Sequence, residues 1–276
     1  MPSARTTLVV GSVLVRNEDV FLEQAIRNVA WFCDRIYAVD HLSTDRTPEI
    51  LSDLADEYDH LEVRRARHAG ASHELLEKYV GTDAWALRVD GDELYDPAGL
   101  ERIREALREG AYRDRFRVQG NVLHCVSLDR ERETASGYLS PPSRPITALF
   151  NLAATESWTG CAERLHHGDI AFRPGYSWPS VEALHEQVPW DEAFLRCLHV
   201  CFLPRSSQDR NGDVRLSLAE TGMYRRGAVG TLVRTVRRPR LDPLQVEIQG
   251  RASSWKLEKY RRGPLVEKDA APFFSG

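Results

Sequence analysis

The sequence predicts an α/β fold with a mostly parallel central sheet flanked by helices, followed by an irregular C-terminal half. Between residues 7 and 96, valine-rich apolar runs alternate with amphipathic segments of helical period. Beyond that point, helical, extended and proline-rich segments follow one another without a regular order. Strands that alternate with helices favour parallel pairing, because each helix carries the chain back to the same edge of the sheet.

Four apolar runs in the first half predict four strands. The first run is almost continuously apolar and rich in valine, which is typical of a strand buried on both faces. The predicted strands cover residues 7–15, 35–40, 61–66 and 84–90.

Segments with apolar residues at helical spacing predict the helices. The second of them offers Thr44 or Asp45 as an N-cap and Pro48 in its first turn. Gly110 is expected to end the fourth helix. The predicted helices cover residues 20–33, 43–58, 72–80 and 97–110.

The second half is less regular. Residues 113–128 predict one long strand, with alternation in their first half. Residues 127–190 are rich in prolines and loops, and residues 191–204 suit a helix, a strand or both. The sequence predicts no secondary structure beyond about residue 225.

Bulk composition narrows the function classes. A net charge of −4 gives no general attraction to nucleic acid. No run reaches the roughly 20 apolar residues of a membrane helix, and the first residues lack the cleavage site of a signal peptide. The five cysteines show no Cys-x-x-Cys spacing, so a disulfide framework and a zinc ribbon are disfavoured. A reducing cytoplasm is the expected setting.

Polar and acidic residues follow three of the predicted strands directly. Residues 16–19 follow the first strand, Asp40 ends the second, and residues 90–92 (Asp-Gly-Asp) end the fourth. Ligands of open α/β sheets bind beyond the carboxyl ends of the strands, so these groups are expected to meet. Because carboxylate oxygens suit Mg²⁺ or Mn²⁺, the pattern predicts a metal and ligand site at this edge.

Three segments at these strand ends resemble the N-terminal signatures of family 2 glycosyltransferases. They are VLVRNED (13–19), YAVDHLSTDRT (37–47) and LRVDGDEL (87–94), the last with the Asp-x-Asp motif. The second segment departs from the family's pattern at His41, Leu42 and Arg46, where Asp, Gly and Gly are common. The similarity is good over residues 7–110 and continues more weakly to about residue 206.

The resemblance implies a GT-A fold and an inverting sugar transfer. It implies a UDP-, GDP- or dTDP-linked sugar donor and an acceptor hydroxyl on a glycan, a lipid-linked molecule or a small molecule. The expected division is a nucleotide-sugar-binding half at residues 1–110, an acceptor-binding half of the same domain at 111–230, and a C-terminal extension at 231–276.

The resemblance also implies which side chains hold the donor and its cation. Asp92 is the expected direct ligand of Mg²⁺ or Mn²⁺, Asp90 assists the metal shell, and His199 completes it. A cation that bridges the two phosphates stabilises the charge of the leaving group. The residues implied in nucleotide-sugar binding are Arg16, Asn17, Glu18, Asp40, Ser43, Asp45, Asp90, Gly91 and Arg205.

An inverting transferase needs a general base beside the acceptor hydroxyl. Residues 156–168 resemble a family segment, Trp-x-Gly-x-x-His-Glu, that borders the acceptor. This makes Glu163 the leading candidate, although Ala162 stands at the place of the histidine. Asp191, with neighbouring Glu192, is the rival.

The sequence leaves several alternatives open. A nucleotidyltransferase can use the same Asp-bound metal, although no Gly-rich Arg/Lys loop follows the first strand, and a nucleotide-sugar-binding protein without catalysis is the third possibility. The basic run at residues 234–240 is a solvated face or a contact for an anionic membrane surface or acidic acceptor. Weaker candidates for the metal shell are His166, His167 and His185. The oligomeric state is not predicted.

Overall fold

The computed structural model describes residues 7–209 and 254–274. Its strands are β1 (Leu8–Val15), β2 (Arg35–Asp40), β3 (Leu61–Arg65), β4 (Ala84–Val89), β5 (Glu93–Tyr95), β6 (Arg117–Gln119), β7 (Asn121–Asp129), β8 (Thr134–Ser140), β9 (Ala148–Asn151), β10 (Thr155–Thr159), β11 (Asp169–Phe172), β12 (Val181–Ala183), β13 (Arg196–His199) and β14 (Leu265–Asp269). Its α-helices are α1 (Leu22–Ala30), α2 (Thr47–Glu57), α3 (Ala71–Glu74), α4 (Pro97–Arg108), α5 (Leu184–Gln187) and α6 (Ser254–Tyr260).

A seven-stranded central sheet forms the first layer in the described part of the chain, in the order β12-β6-β9-β4-β1-β2-β3. β1 pairs in parallel with β2 and β4, and β2 pairs in parallel with β3. β9 runs antiparallel between β4 and β6. β1 is buried from Val9 to Val15, as its continuous apolar run predicts. The predicted α/β fold with a mostly parallel central sheet is confirmed.

A second sheet carries most of the C-terminal half, in the order β14-β8-β7-β13-β5. The chain passes from the central sheet to this one at Gly120, between β6 and β7. A Cβ atom at Gly120 would lie 2.1 Å from the carbonyl oxygen of Leu195, so a larger residue does not fit this crossing. The prediction of one continuous strand over residues 113–128 is therefore wrong.

The predicted third helix at residues 72–80 is also wrong in length. Only α3 and a short 3₁₀ turn at Glu77–Tyr79 form there. The imidazole of His73 lies 2.8 Å from the carbonyl oxygen of Trp158 and accepts from the backbone N–H of Leu165. The segment is thus held by tertiary contacts with residues 158–165, which a helical period in the sequence does not reveal.

Helices α2 and α4 form where the sequence predicts them, but the N-cap of α2 differs from the predicted residue. The N-cap of α2 is Arg46 rather than Thr44 or Asp45, although the Asp45 carboxylate accepts from the Thr47 N–H at 3.0 Å. Asp96 caps α4 through the N–H of Gly99, and Gly110 follows that helix with φ +87°. Such a left-handed conformation favours glycine.

The C-terminal segment belongs to the second sheet. β14 pairs antiparallel with β8, and Phe273 is buried against Trp190. The part of the predicted extension at 231–276 that the structure describes is thus built into the fold, and the basic run at residues 234–240 lies outside the described residues. None of the described helices has the length and apolarity needed to cross a membrane.

Candidate active site

The loops after β1 and β2 interlock at the carboxyl edge of the central sheet. The backbone N–H of Asn17 donates to Ser43 Oγ at 2.8 Å, and Asn17 Oδ1 accepts from the N–H of Thr44 at 2.7 Å. Asp40 is buried, accepts from the N–H of Ser43 at 2.9 Å and lies 3.4 Å from Arg65 Nε. These contacts bring the predicted donor residues of both loops together.

Two of the residues that depart from the family's second signature, His41 and Leu42, have a defined conformation in the loop after β2. His41 is buried, and Leu42 has φ +58°, a conformation that usually favours glycine. Burial lowers the pKa of His41, the hydrogen bond to the carbonyl of Arg67 opposes this shift, and the charge of Arg16 lowers the pKa further. The half-buried Arg16 therefore lies near this loop.

Residues 205–209, which are distant in sequence, pack against both loops. Ser206 Oγ donates to Asp45 Oδ2 at 2.6 Å, and Ser207 donates to the Asp19 carboxylate from its N–H and its hydroxyl, each at 2.6 Å. The carbonyl oxygen of Arg205 accepts from the N–H of Val20 at 3.0 Å. Asp19, Ser206 and Ser207 were not predicted as site residues.

Asp92 lies in a buried set of charges. Its Oδ2 accepts from Arg205 Nη1 at 2.5 Å, and the same Nη1 lies 3.1 Å from Glu18 Oε1. Burial raises the pKa of Asp92, but the charges of Arg205, His199 and Lys256 outweigh burial and lower it to about 2. Asp92 is therefore an anion at neutral pH.

Gly91 allows this arrangement. Its N–H donates to Glu18 Oε2 at 3.2 Å, and a Cβ atom at this position would lie 2.5 Å from that oxygen. The glycine of the Asp-x-Asp motif thus gives the Glu18 carboxylate direct access to the backbone.

His199 faces Asp92 because β13 pairs with both β5 and β7. The register places His199 opposite Glu93 on one side and opposite His124 on the other. His199 Nε2 lies 3.7 Å from Asp92 Oδ2, and His199 Nδ1 lies 2.8 Å from His124 Nδ1. Burial lowers the pKa of His199 to about 4 although Asp92 opposes this shift.

The hydrogen bonds of His124 determine the tautomer of His199. His124 Nε2 lies 2.9 Å from the carbonyl oxygen of Arg144, which only accepts, so this nitrogen carries the proton. Neutral His124 then accepts at Nδ1, and His199 must donate from its own Nδ1. The lone pair of neutral His199 is therefore on Nε2, the nitrogen that faces the Asp92 carboxylate.

This donor set fits a divalent cation. A carboxylate oxygen and an imidazole lone pair 3.7 Å apart are two potential ligands of one ion, and the carboxylate is the type of ligand that Mg²⁺ and Mn²⁺ prefer. Cys201 also lies within 4.8 Å of the ring nitrogens of His124 and His199. The hydrogen bond of 2.8 Å between these two rings uses both Nδ1 atoms, and burial raises the pKa of Cys201, so a soft-metal site is disfavoured.

Asp90 belongs to a different set of charges. Its carboxylate accepts from the guanidinium of Arg164, which is 2% exposed. The charges of Asp90 and Glu163 both act on Arg164 and on half-buried Arg88, so Glu163 lies beside this pair. Arg164 was not predicted, although it directly follows Glu163 in the sequence.

Buried Glu93 directly follows Asp92 in the chain. Its Oε2 accepts from the N–H of Asp90 at 3.3 Å and lies 3.3 Å from the hydroxyl of Tyr95. Burial, followed by the charge of Asp90, raises the pKa of Glu93 to about 8, so the side chain is mostly protonated at neutral pH.

The remaining predicted residues lie apart from Asp92. Asp191 is an exposed residue that pairs with Lys268 Nζ at 2.7 Å, and the structure does not bring it to the other site residues. The rings of His166 and His167 meet edge-on near Arg164, and His185 lies on α5. Among these residues, Glu163 is linked to Asp90 through Arg164 and Arg88, on which both carboxylates act.

The C-terminal helix contributes residues that the sequence did not suggest. Lys256 is 4% exposed, and its charge acts on Asp92 and His199. The ring of Tyr260 stacks on His124 with centroids 4.5 Å apart and meets His199 edge-on at 5.3 Å. No motif marks these residues, because their role depends on α6 packing over β7 and β13.

The comparisons with known proteins identify the family. Residues 13–146 match the family described as Glycosyl transferase family 2. They form a family 2 glycosyltransferase domain. The three resembling segments all lie at the start or inside this range, so the prediction of the family is confirmed. No curated protein matches the chain.

Solved structures similar to this chain share little sequence with it. The mannosyltransferase PcManGT from Pyrobaculum calidifontis, in complex with GDP-Man and Mn²⁺, is 16% identical, with 91% of this chain and 72% of that chain covered and a TM-score of 0.38. S. aureus TarS is 16% identical, with 53% and 29% covered and a TM-score of 0.33. Glucosyl-3-phosphoglycerate synthase from Mycobacterium tuberculosis, with Mn²⁺, UDP and glucosyl-3-phosphoglycerate, is 16% identical, with 43% and 44% covered and a TM-score of 0.31. The chain thus spans less than half the length of two of these proteins.

Proposed function

We propose that this chain transfers a sugar from a nucleoside diphosphate-sugar to an acceptor hydroxyl, with inversion, and uses Mg²⁺ or Mn²⁺. The observation that carries the proposal is the pair formed by Asp92 Oδ2 and the unprotonated Nε2 of His199, 3.7 Å apart at the carboxyl edge of the sheet. Both groups offer lone pairs in a buried site where Arg205 supplies positive charge to Asp92, and a bound divalent cation would share that role. In this proposal Asp92 and His199 hold the cation.

The donor is proposed to lie along the interlocked loops after β1 and β2. Arg16, Asn17, Asp40, Ser43 and Asp45 border the place where its base and ribose would bind. Gly91 and Glu18 shape the floor of the site, and Arg205 and Lys256 supply positive charge beside Asp92. Bound there, the cation would act as a Lewis acid toward the diphosphate.

Arg205 has two roles in the proposed function. In the absence of ligand its guanidinium neutralises Asp92 and Glu18. A guanidinium has five N–H donors in a planar fork, which also suits the oxygens of a diphosphate. We expect Arg205 to hold the leaving group while it keeps contact with Glu18.

Glu163 is the proposed general base. It would accept the proton of the acceptor hydroxyl while the hydroxyl oxygen bonds to the anomeric carbon and the bond to the nucleoside diphosphate breaks. The charges of Glu163 and Asp90 both act on Arg164 and Arg88, so these two arginines lie beside the proposed base. Asp90 would then face the donor sugar from its pair with Arg164.

Calorimetry with UDP, GDP and dTDP tests the donor site, with and without Mn²⁺. We expect at least one diphosphate to bind with Mn²⁺ present and roughly tenfold more weakly without it. Absence of binding by all three nucleotides would contradict the proposal. Diphosphate binding without turnover of any nucleotide sugar, including slow hydrolysis to water, would favour a protein that has lost catalysis. Pyrophosphate release from a nucleoside triphosphate and a sugar phosphate would favour a nucleotidyltransferase.

A further inference from the structure

A cavity lies beside the proposed cation site, on the side of His124 opposite the Asp92–His199 pair. It has a volume of about 380 Å³ and is lined by residues 141–145, two residues of α5, and the residues Lys259 and Arg262 at the end of α6. Three of the lining side chains are cationic, Arg144, Lys259 and Arg262, against the single carboxylate of Glu186. The cavity therefore has a positive lining.

Hydrogen bonds fix the backbone that carries these cations. The N–H of Arg144 donates to the carbonyl oxygen of Lys259 at 2.9 Å. The buried hydroxyl of Ser143 accepts from the N–H of Arg262 at 3.0 Å and lies 3.1 Å from the carbonyl oxygen of Tyr260. The backbone of the loop at 141–145 is thus tied to the end of α6, which fixes the positions from which the three cationic side chains extend.

The charges in this lining repel one another. Burial lowers the pKa of Lys259, and the charges of Arg144 and Arg262 lower it further. His185 is 6% exposed, its Nε2 lies 3.7 Å from Glu186 Oε1, and its Nδ1 has no hydrogen-bond partner among the described residues. A bound anion would relieve the repulsion between the three cations.

The cavity is separate from the proposed donor site. Arg144 contributes its carbonyl oxygen to His124 and its side chain to the cavity, so the His124 ring stands between the cavity and the Asp92–His199 pair. Tyr260, which follows Lys259, stacks on the same ring. An anion in the cavity would therefore lie next to the reacting groups without occupying the place of the diphosphate.

We propose that this cavity binds a phosphate group, and that the sugar acceptor is a molecule that carries that phosphate. The two guanidinium groups suit the oxygens of a phosphate ester, and the ammonium of Lys259 adds a third charge. The assignment to the acceptor rests on the proposed glycosyl transfer, whereas the binding of phosphate does not.

Calorimetry with inorganic phosphate, at ionic strength matched with NaCl, tests the site on the full chain without metal or nucleotide. We expect the double variant R144Q/R262Q to bind phosphate at least about tenfold more weakly than the wild type, because it loses charge-assisted hydrogen bonds. The variant R261Q is the matched control, since Arg261 packs over Phe202 and does not line the cavity. Circular dichroism shows whether the variants fold, and K259Q is the second variant if the double variant does not. Equal affinity for phosphate in R144Q/R262Q and the wild type would overturn the proposal.

Two further arms separate the parts of the proposal. In the first, phosphate is titrated again in the presence of saturating nucleoside diphosphate and Mn²⁺. Unchanged phosphate binding supports a separate acceptor site. Full competition assigns the cavity to the donor and overturns the acceptor assignment. Glycerol 3-phosphate and phosphatidylglycerol vesicles then distinguish a soluble phosphate ester from a lipid headgroup, and binding of neither overturns the proposal. If no nucleoside diphosphate binds the wild type while phosphate does, the proposed function fails and the phosphate site stands.

Discussion

The two carboxylates of the Asp-x-Asp motif lie two residues apart but belong to two different charge networks. Asp92 is buried with Glu18, Arg205, His199 and, through His199, His124; we call this the Asp92 network. Asp90 is half-exposed and pairs with Arg164 beside Glu163 and Arg88; we call this the Asp90 network.

The two networks differ in what they offer a ligand. The Asp92 network combines carboxylates with an unprotonated imidazole, which suits a cation. The Asp90 network pairs Asp90 with Arg164 and places Glu163 beside Arg164 and Arg88, which suits the orientation of hydroxyl groups. The comparison teaches that neighbouring carboxylates of one motif can have separate partners. In the proposed function Asp92 would serve the leaving group and Asp90 the transferred sugar, and four variants test this division.

Asp92→Asn is expected to have the largest effect. It removes the charged partner of Arg205 and a ligand of the proposed cation, so we expect Mn²⁺ affinity to fall by roughly 100-fold or more, beyond the ~10–100-fold cost of losing an outer-shell partner. Calorimetry or Mn²⁺ paramagnetic resonance measures the affinity. Asp191→Asn is the matched control, the same change at an exposed carboxylate, and its Mn²⁺ affinity should equal that of the wild type. Unchanged Mn²⁺ affinity in Asp92→Asn would show that the cation binds elsewhere.

Arg164→Met tests whether the Asp90 network is independent. Loss of the buried guanidinium leaves Asp90 without its partner, and because Asp90 is half-exposed we expect the free energy of unfolding to fall by ~2 kcal/mol, less than for a fully buried pair. Mn²⁺ affinity should stay within about threefold of wild type, because Arg164 does not contact Asp92. Urea unfolding and calorimetry measure the two quantities. A loss of Mn²⁺ affinity as large as that of Asp92→Asn would mean that the networks are one.

His124→Phe tests the role of the second histidine in the Asp92 network. Without the acceptor at His124 Nδ1, the His199 ring can take the other tautomer and place a proton on Nε2, so we expect Mn²⁺ affinity to fall ~10-fold or more. His124→Asn is the matched variant, because its Oδ1 can still accept from His199 Nδ1, and it should recover most of the affinity. Equal affinities in the two variants would rule out control of the tautomer.

His166→Asn is expected to have the smallest effect and probes the positive charge of the Asp90 network. Burial, followed by the charges of His167 and Arg88, lowers the pKa of His166 to about 4. The unfolded chain therefore binds the proton more readily, and the stability from neutral His166 is present above about pH 6.5 and lost as the pH falls through about 4. Urea unfolding at about pH 7 and about pH 5 should show a smaller loss of stability on acidification in His166→Asn than in the wild type.

The exposed His167 supplies the control for this measurement. His167→Asn keeps His166 but removes one of the charges that lower its pKa, so its loss of stability between the two pH values should be smaller than that of the wild type and larger than that of His166→Asn. If His166→Asn loses as much stability as His167→Asn, the environment of His166 is less positive than its neighbours indicate.

The first half of the chain could be predicted well because its signals are local. The periods of β1, α1 and α4 depend on neighbouring residues, and the caps at Asp96 and Gly110 lie next to the helix that they delimit. The prediction failed at α3 in the first half and at Gly120 in the second. Contacts with Leu195 and with residues 158–165, distant in sequence, decide the structure there.

The sequence by itself determined the α/β class, the family and the edge of the sheet where Asp40, Asp90 and Asp92 gather, because strand ends and motifs are properties of short segments. Only the tertiary structure decided which groups surround each carboxylate. β13 must lie between β5 and β7 to bring His199 to Asp92 and His124 to His199. The loop after β10 must fold back to bring Arg164 to Asp90. These partners come from residues 70 or more positions apart, so no local pattern in the sequence records them.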